Sequence, residues 1–198
     1  MSRGAGPRSG PPGPREAPSL AGVVFRLWIR RRPWVVFGGA AARVYGSRRP
    51  LTDVDILVPA GDLALLGSAF GSAPGLKTSE LGWVRRVSLG RVELCGEVVN
   101  RLEGREYRFV LDGDLWAHRR LAWLEALPVW AASPEDCLLM KAILQRGPER
   151  GKHDLEDARS LALGRRLDLA YLRRRAAALG AEERVQGVLR RLGLWWEG

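Results

Sequence analysis

The stretch VVFGGAAARVYGSRRPLTDVDILV, Val35 to Val58, decides how the rest of the chain is read. Val35, Val36 and Phe37 predict a buried strand, Gly38 and Gly39 a tight turn, and Ala40 to Tyr45 the first turns of a helix. Backbone folded back that sharply leaves free N–H groups at a helix start, where phosphate oxygens are readily bound. Farther on, Val54, Ile56 and Val58 alternate with Asp53 and Asp55, so a strand here puts the apolar side chains on one face and both carboxylates on the other. Like charges on one face repel unless a cation lies between them. Mg²⁺ suits such a pair, because it takes one or two carboxylates and fills its remaining positions with water and substrate phosphate oxygens. Each half of the pattern also has an ordinary reading: paired glycines serve many turns, and Asp-Val-Asp-Ile is also a half-exposed strand with a solvated face.

Composition bounds the classes open to the chain. Its 198 residues, 46% of them hydrophobic, suffice for one domain with a helical appendage. Arg26, Arg30 and the charges that follow interrupt every apolar run before it reaches a membrane span, and Leu20 to Leu27 is too short and wrongly flanked for a secretory signal, so a cytoplasmic protein is expected. Cys95 and Cys137 have no CxxC or histidine partner near them, which argues against zinc and against a disulfide framework. A net charge of +10 and a pI near 10.8 point to anionic partners: nucleotide, nucleic acid or an acidic protein surface. The excess is nearly all arginine, dispersed in small clusters such as Arg30 to Arg32 and Arg173 to Arg175, and helical clusters of this kind are usually solvated faces.

Residues 1 to 18 are mostly Gly, Pro, Arg and Ser and are expected to be a disordered basic tail. Ser19 caps a helix with an apolar stripe of Leu20, Val23, Val24, Leu27 and Trp28 that ends before Pro33. After the strand, turn, helix and strand already described, Asp62 starts a short helix through Phe70, and 71 to 75 is a loop. Trp83 to Leu89, Arg91 to Val99 and Glu106 to Leu111 read as a β-meander. A helix is expected from Asp114 to about Ala126, then a brief extended piece from Pro128 to Ala131. Ser133-Pro134-Glu135-Asp136 is a helix start, with the cap, the N1 proline and first-turn acids in order. Three more helices follow at about 153–163, 168–179 and 182–193, and Trp195 and Trp196 are expected to pack on them. Sheet first and helices after argues for an α+β fold: a small mixed sheet with flanking helices in 19–131, and a helical bundle packed on it in 132–198.

In order and spacing, Phe37, Gly38, Gly39, Asp53, Val54, Asp55 and Ile56 match the signature of the nucleotidyltransferase superfamily, the DNA polymerase beta-like fold: apolar, Gly, Gly or Ser, a gap, then Asp, apolar, Asp or Glu, apolar. Tyr45, Gly46, Arg48 and Thr52 also resemble it, and SPEDCLLMKAILQRGPERGKHDLEDARSL resembles the helical region of its small standalone prokaryotic members. The resemblance covers roughly Trp34 to Leu163. It implies transfer of a nucleoside monophosphate, AMP from ATP in the first instance, to a hydroxyl of a protein, an RNA such as tRNA, or a small molecule. It also implies two Mg²⁺ ions held by about three carboxylates. Asp53 and Asp55 would be two of these. Glu93, on a later strand where the family often has aspartate, is the candidate third, and Glu97 on the same face competes with it.

The resemblance further implies that Gly38 and Gly39 contact the β- and γ-phosphates through backbone, and that Arg43, Arg48, Lys141 and Lys152 supply positive charge to the triphosphate. Asp154 and Asp157 would orient those bases. Small standalone members include toxin and antitoxin proteins and antibiotic-modifying enzymes, so a protein partner or a homodimer is also open. Two rivals share the fold: a catalytically silent nucleotide- or RNA-binding module, and an antitoxin-like interaction subunit. His153-Asp154 does not make a histidine-rich metallophosphohydrolase, since His118 is the only other histidine, and Gly38-Gly39 lacks the Gly-Lys-Ser/Thr ending of a P-loop.

Overall fold

A computed structural model of the chain describes residues 17–163 and 165–194. The expected basic tail lies outside the described residues up to position 16, and so do Trp195 and Trp196. The chain opens with helix α1, Leu20–Arg30, whose Ser19 cap accepts a hydrogen bond from the Gly22 amide at 3.2 Å. Strand β1 (Val35–Phe37) then runs directly into helix α2 (Gly38–Val44), and strand β2 (Val54–Leu57) and helix α3 (Leu63–Ala69) follow. Four strands come next, β3 (Gly75–Ser79), β4 (Gly82–Leu89), β5 (Val92–Leu102) and β6 (Arg105–Phe109). Helix α4 (Gly113–His118) leads to the hairpin of β7 (Arg120–Leu124) and β8 (Leu127–Ala131). The rest is helical: α5 (Pro134–Leu144), α6 (Asp154–Ala162), α7 (Leu169–Ala178) and α8 (Glu182–Arg191).

Among the described residues the sheet has eight strands in the order β3-β4-β5-β2-β1-β8-β7, with β6 also paired to β5. β2 runs parallel to β5 and β1 parallel to β8, while the other pairs are antiparallel, so the fold is α+β with a mixed sheet. Strand alternation divides the apolar residues between two cores. Val36, Val54, Ile56, Val92 and Leu94 pack with α1 and α3 on one face. Val35, Phe37, Leu57 and Cys95 pack with α5, α7 and α8 on the other. All eleven residues of α5 are buried, because the sheet and α2 cover one side of it and α6, α7 and α8 the other.

Two expectations need correction. The helix expected from Asp114 to Ala126 stops at His118, and residues 120–131 form an antiparallel hairpin. Its turn residues Glu125 and Ala126 have φ of 49° and 63°, the left-handed pair of a two-residue hairpin turn. Neither is the Asn or Gly that ordinarily announces such a turn, and Leu121, Trp123 and Leu124 are equally at home in a helix pattern. Strand β3 was not expected either. It is an edge strand exposed along its whole length, so no buried alternation marks it.

Candidate active site

β1, β2 and β5 lie side by side, and their register sets Phe37 opposite Asp55 and Asp55 opposite Glu93. One rung of the sheet thus carries the end of β1 and two carboxylates on neighbouring strands. Gly38 follows Phe37 with φ +60°, and a Cβ there would stand 2.9 Å from Asp55 Oδ2. Only glycine meets both demands: the left-handed backbone that turns the chain into α2, and the space beneath it for the carboxylate. Gly39 has nothing within 4 Å of a built Cβ and faces open space. Asp53, just before β2, is exposed, and Thr52 Oγ1 donates to its Oδ1 at 3.0 Å.

The ligand atoms of Asp55, Glu93 and Cys95 lie within 4.8 Å of one another. Burial, then the neighbouring Asp53, push the Asp55 carboxyl up to about 6, while Lys152, Lys77 and Lys141 pull it down. Burial first, and then Asp55, also push the Cys95 thiol up, which keeps it neutral. Glu93 differs from both aspartates in being already paired: Arg86 Nη1 is in contact with its Oε1, and Lys77 Nζ lies 3.8 Å from the same oxygen. Glu97 takes another direction and pairs with Arg108 at 2.5 Å. The register between β4 and β5 shifts at Arg85/Arg86, and this brings Arg86 opposite Cys95, on the face that Glu93 uses.

Asp53, Asp55, Lys77, Glu93 and Cys95 line a cavity of about 500 Å³, bounded by Gly38 and Gly39, the β3–β4 hairpin and the end of α5. All three lysines of the chain, Lys77, Lys141 and Lys152, line it. Lys141 is buried and clamped, with Nζ 2.9 Å from Asp154 Oδ1 and 2.7 Å from Asp157 Oδ2. Burial pushes the Asp154 carboxyl up, but hydrogen bonds from Arg146 and the charge of Lys141 outweigh it and hold the group below the usual carboxylate range. Ser47 and Arg49 reach Asp157 from the loop after α2, at 3.0 Å and 3.3 Å. Asp154 and Asp157 thus orient Lys141 and bind the loop to α6, whereas Lys152 is exposed.

Neither Arg43 nor Arg48 is among the described residues lining the cavity, and both are exposed. Arg43 sits on the outer side of α2 and donates to the Ser47 carbonyl at 3.1 Å. Arg49, one residue past Arg48, lines the cavity instead. Sequence reading also missed Lys77 and Arg86, whose places depend on cross-strand pairing. A buried Asn100 in the cavity wall has a side-chain Nδ2 with no hydrogen-bond partner among the described residues, a donor that a ligand could satisfy.

An oxygen-rich pair, Asp53 and Asp55, with one member desolvated and raised by the other, fits a hard divalent ion such as Mg²⁺. Glu93 stands beside this pair with one carboxylate oxygen already in contact with Arg86. No helix among the described residues is long and apolar enough to cross a membrane.

No protein-family model and no curated protein matches the sequence. Solved structures do match the fold. A proposed nucleotidyltransferase of Thermotoga maritima is 20% identical, with a TM-score of 0.52 over 66% of this chain and 85% of its own. The solution structure of the antibiotic-resistance factor ANT(2'')-Ia is 16% identical, with a TM-score of 0.52 over 81% of this chain and 92% of its own. What is shared at such identities is the course of the backbone, and on that ground this chain has the nucleotidyltransferase fold.

Proposed function

We propose that this chain is a Mg²⁺-dependent nucleotidyltransferase that moves a nucleoside monophosphate, AMP from ATP in the first instance, to a hydroxyl of a protein, RNA or small-molecule acceptor. The observation that carries this reading is the rung in which Asp55 and Glu93 stand side by side, with Gly38 closed down on Asp55 and Asp53 next to it. The acceptor oxygen bonds to the α-phosphorus, the bond from that phosphorus to the bridging oxygen breaks, and pyrophosphate leaves. The protein's contribution to such a displacement is position and charge. Bound Mg²⁺ supplies charge stabilisation for the phosphoryl oxygens.

The roles follow from placement. Asp53 and Asp55 hold the ion. Glu93 completes the set and takes the acceptor proton. The open side of Gly39 gives the triphosphate close access to backbone amides. Lys77 and Lys152, both exposed on the cavity wall, act on it as point charges. Lys141 works through its ion pairs, holding the end of α5 against α6 and lending positive potential to Asp55. On this reading residues 19–131 carry the chemistry, and the helices from 132 onward close the cavity and bring Lys141 and Lys152 to it.

The test is incubation with α-labelled nucleoside triphosphates, Mg²⁺ and cell extract, alongside Asp53→Asn and Asp55→Asn. Label should appear on one class of acceptor and fall by about a thousandfold or more in either variant. Nucleotide binding without label transfer would identify a silent binding module and overturn the proposal.

A further inference from the structure

The third carboxylate is not free. Glu93 Oε1 meets the Arg86 guanidinium directly and has Lys77 Nζ 3.8 Å away, so its charge is balanced by two cations from the chain itself. The Arg86 and Glu93 side chains are 22% and 14% exposed, so solvent weakens this attraction little. Asp53 and Asp55 are in the opposite state. Among the described residues the one side-chain hydrogen bond to this pair comes from Thr52 to Asp53, and Asp55 feels its lysines at longer range. A divalent ion entering the cavity would therefore meet one bare carboxylate pair and one carboxylate screened by a guanidinium.

We propose that Arg86, assisted by Lys77, is a switch that keeps the resting cavity a one-ion site and releases Glu93 to a second ion only when a triphosphate arrives. An ion beside Glu93 would stand within a few ångströms of the Arg86 charge, and that repulsion has to be relieved before it can bind. The triphosphate relieves it. Its oxygens present more negative charge than Glu93 does, in an array that a guanidinium grips bidentately, so Arg86 and Lys77 transfer to the nucleotide as the second ion takes the carboxylate. Lys77 on β3 lines the cavity, and Arg86 on β4, which is not among the lining residues, meets it through its contact with Glu93, which is.

This inference rests on the proposed nucleotidyl-transfer site, and Mn²⁺ binding to the 198-residue chain, followed by electron paramagnetic resonance, separates the two. Without nucleotide the wild type should bind one Mn²⁺ per chain and lose it in Asp55→Asn. With a non-hydrolysable triphosphate analogue it should bind two. Arg86→Gln should bind a second ion without nucleotide, at least about tenfold more tightly than wild type, and Arg86→Lys should restore single occupancy. Lys77→Gln, changing a side chain that is 55% exposed, should shift the second ion the same way by less, which guards against a folding defect in the Arg86 variant. Two ions on the wild type without nucleotide, or unchanged binding in Arg86→Gln, would overturn the switch while leaving the site intact. Absence of Mn²⁺ binding, or its survival in Asp55→Asn, would remove the site and the switch together.

Discussion

A carboxylate that is partly buried beside another is costly to the chain that carries it, and Asp55 is so placed, with its pKa pushed up to about 6 by burial and then by Asp53. Because the folded value lies above the unfolded 3.8, the folded state holds the proton more tightly. Stability therefore falls as pH rises from about 4 to about 6, and the penalty is complete above that. Asp55→Asn should make the metal-free protein more stable at pH 7.5 by about 3 kcal/mol, with no difference below pH 4; thermal melts across that range check it. Divalent-ion binding should weaken over the same interval as acid neutralises the ligand. The two glycines provide a contrast. Gly38→Ala places a methyl 2.9 Å from Asp55 Oδ2 at φ +60° and should cost about 1–3 kcal/mol. Gly39→Ala, in open space, should leave the melting temperature nearly unchanged and reduce nucleotide affinity, measured by calorimetric titration.

Between elements, Lys141 of α5 makes a buried polar tie with Asp154 and Asp157 of α6. Truncating Lys141 to Met would leave both carboxylates buried with less counter-charge, and urea denaturation should show a loss of about 3 kcal/mol. The same elements show what could be read from sequence. The start of α5 was legible because its cap, proline and acids are local signals, and Ser133 Oγ does accept from the Asp136 amide at 3.0 Å. Asp53 and Asp55 were legible because the strand period is built into their spacing. Strand β7 was not, since Glu125 and Ala126 adopt a turn conformation that neither residue advertises. Arg86 and Lys77 were beyond reach for another reason: the register shift at Arg85/Arg86 decides which face Arg86 takes, and only the folded sheet holds that information. Arg48 was expected beside the triphosphate, whereas Arg49 is the residue that lines the cavity, in an irregular loop where no periodicity assigns a side.

At the scale of the whole molecule, one core is shared between the sheet and the C-terminal helices. Val35, Phe37 and Leu57 pack in the same cluster as Leu138, Leu172, Val185 and Leu189. Such sharing predicts a single calorimetric unfolding transition for the full chain. A fragment of residues 19–131 lacks α5, every residue of which is buried, and should bind a hydrophobic dye and melt without cooperativity. Sheet and helices are thus mutually required, although the motif lies in the first of them. The distribution of amines adds a practical consequence. In a chain whose positive charge is otherwise arginine, the side-chain amines all line one cavity, and two of the three are exposed. Apart from the α-amino terminus, acylating dyes and aldehyde-bearing nucleotides should therefore label the protein at Lys77 and Lys152, and peptide mass spectrometry would read occupancy of the cavity as protection of those two positions.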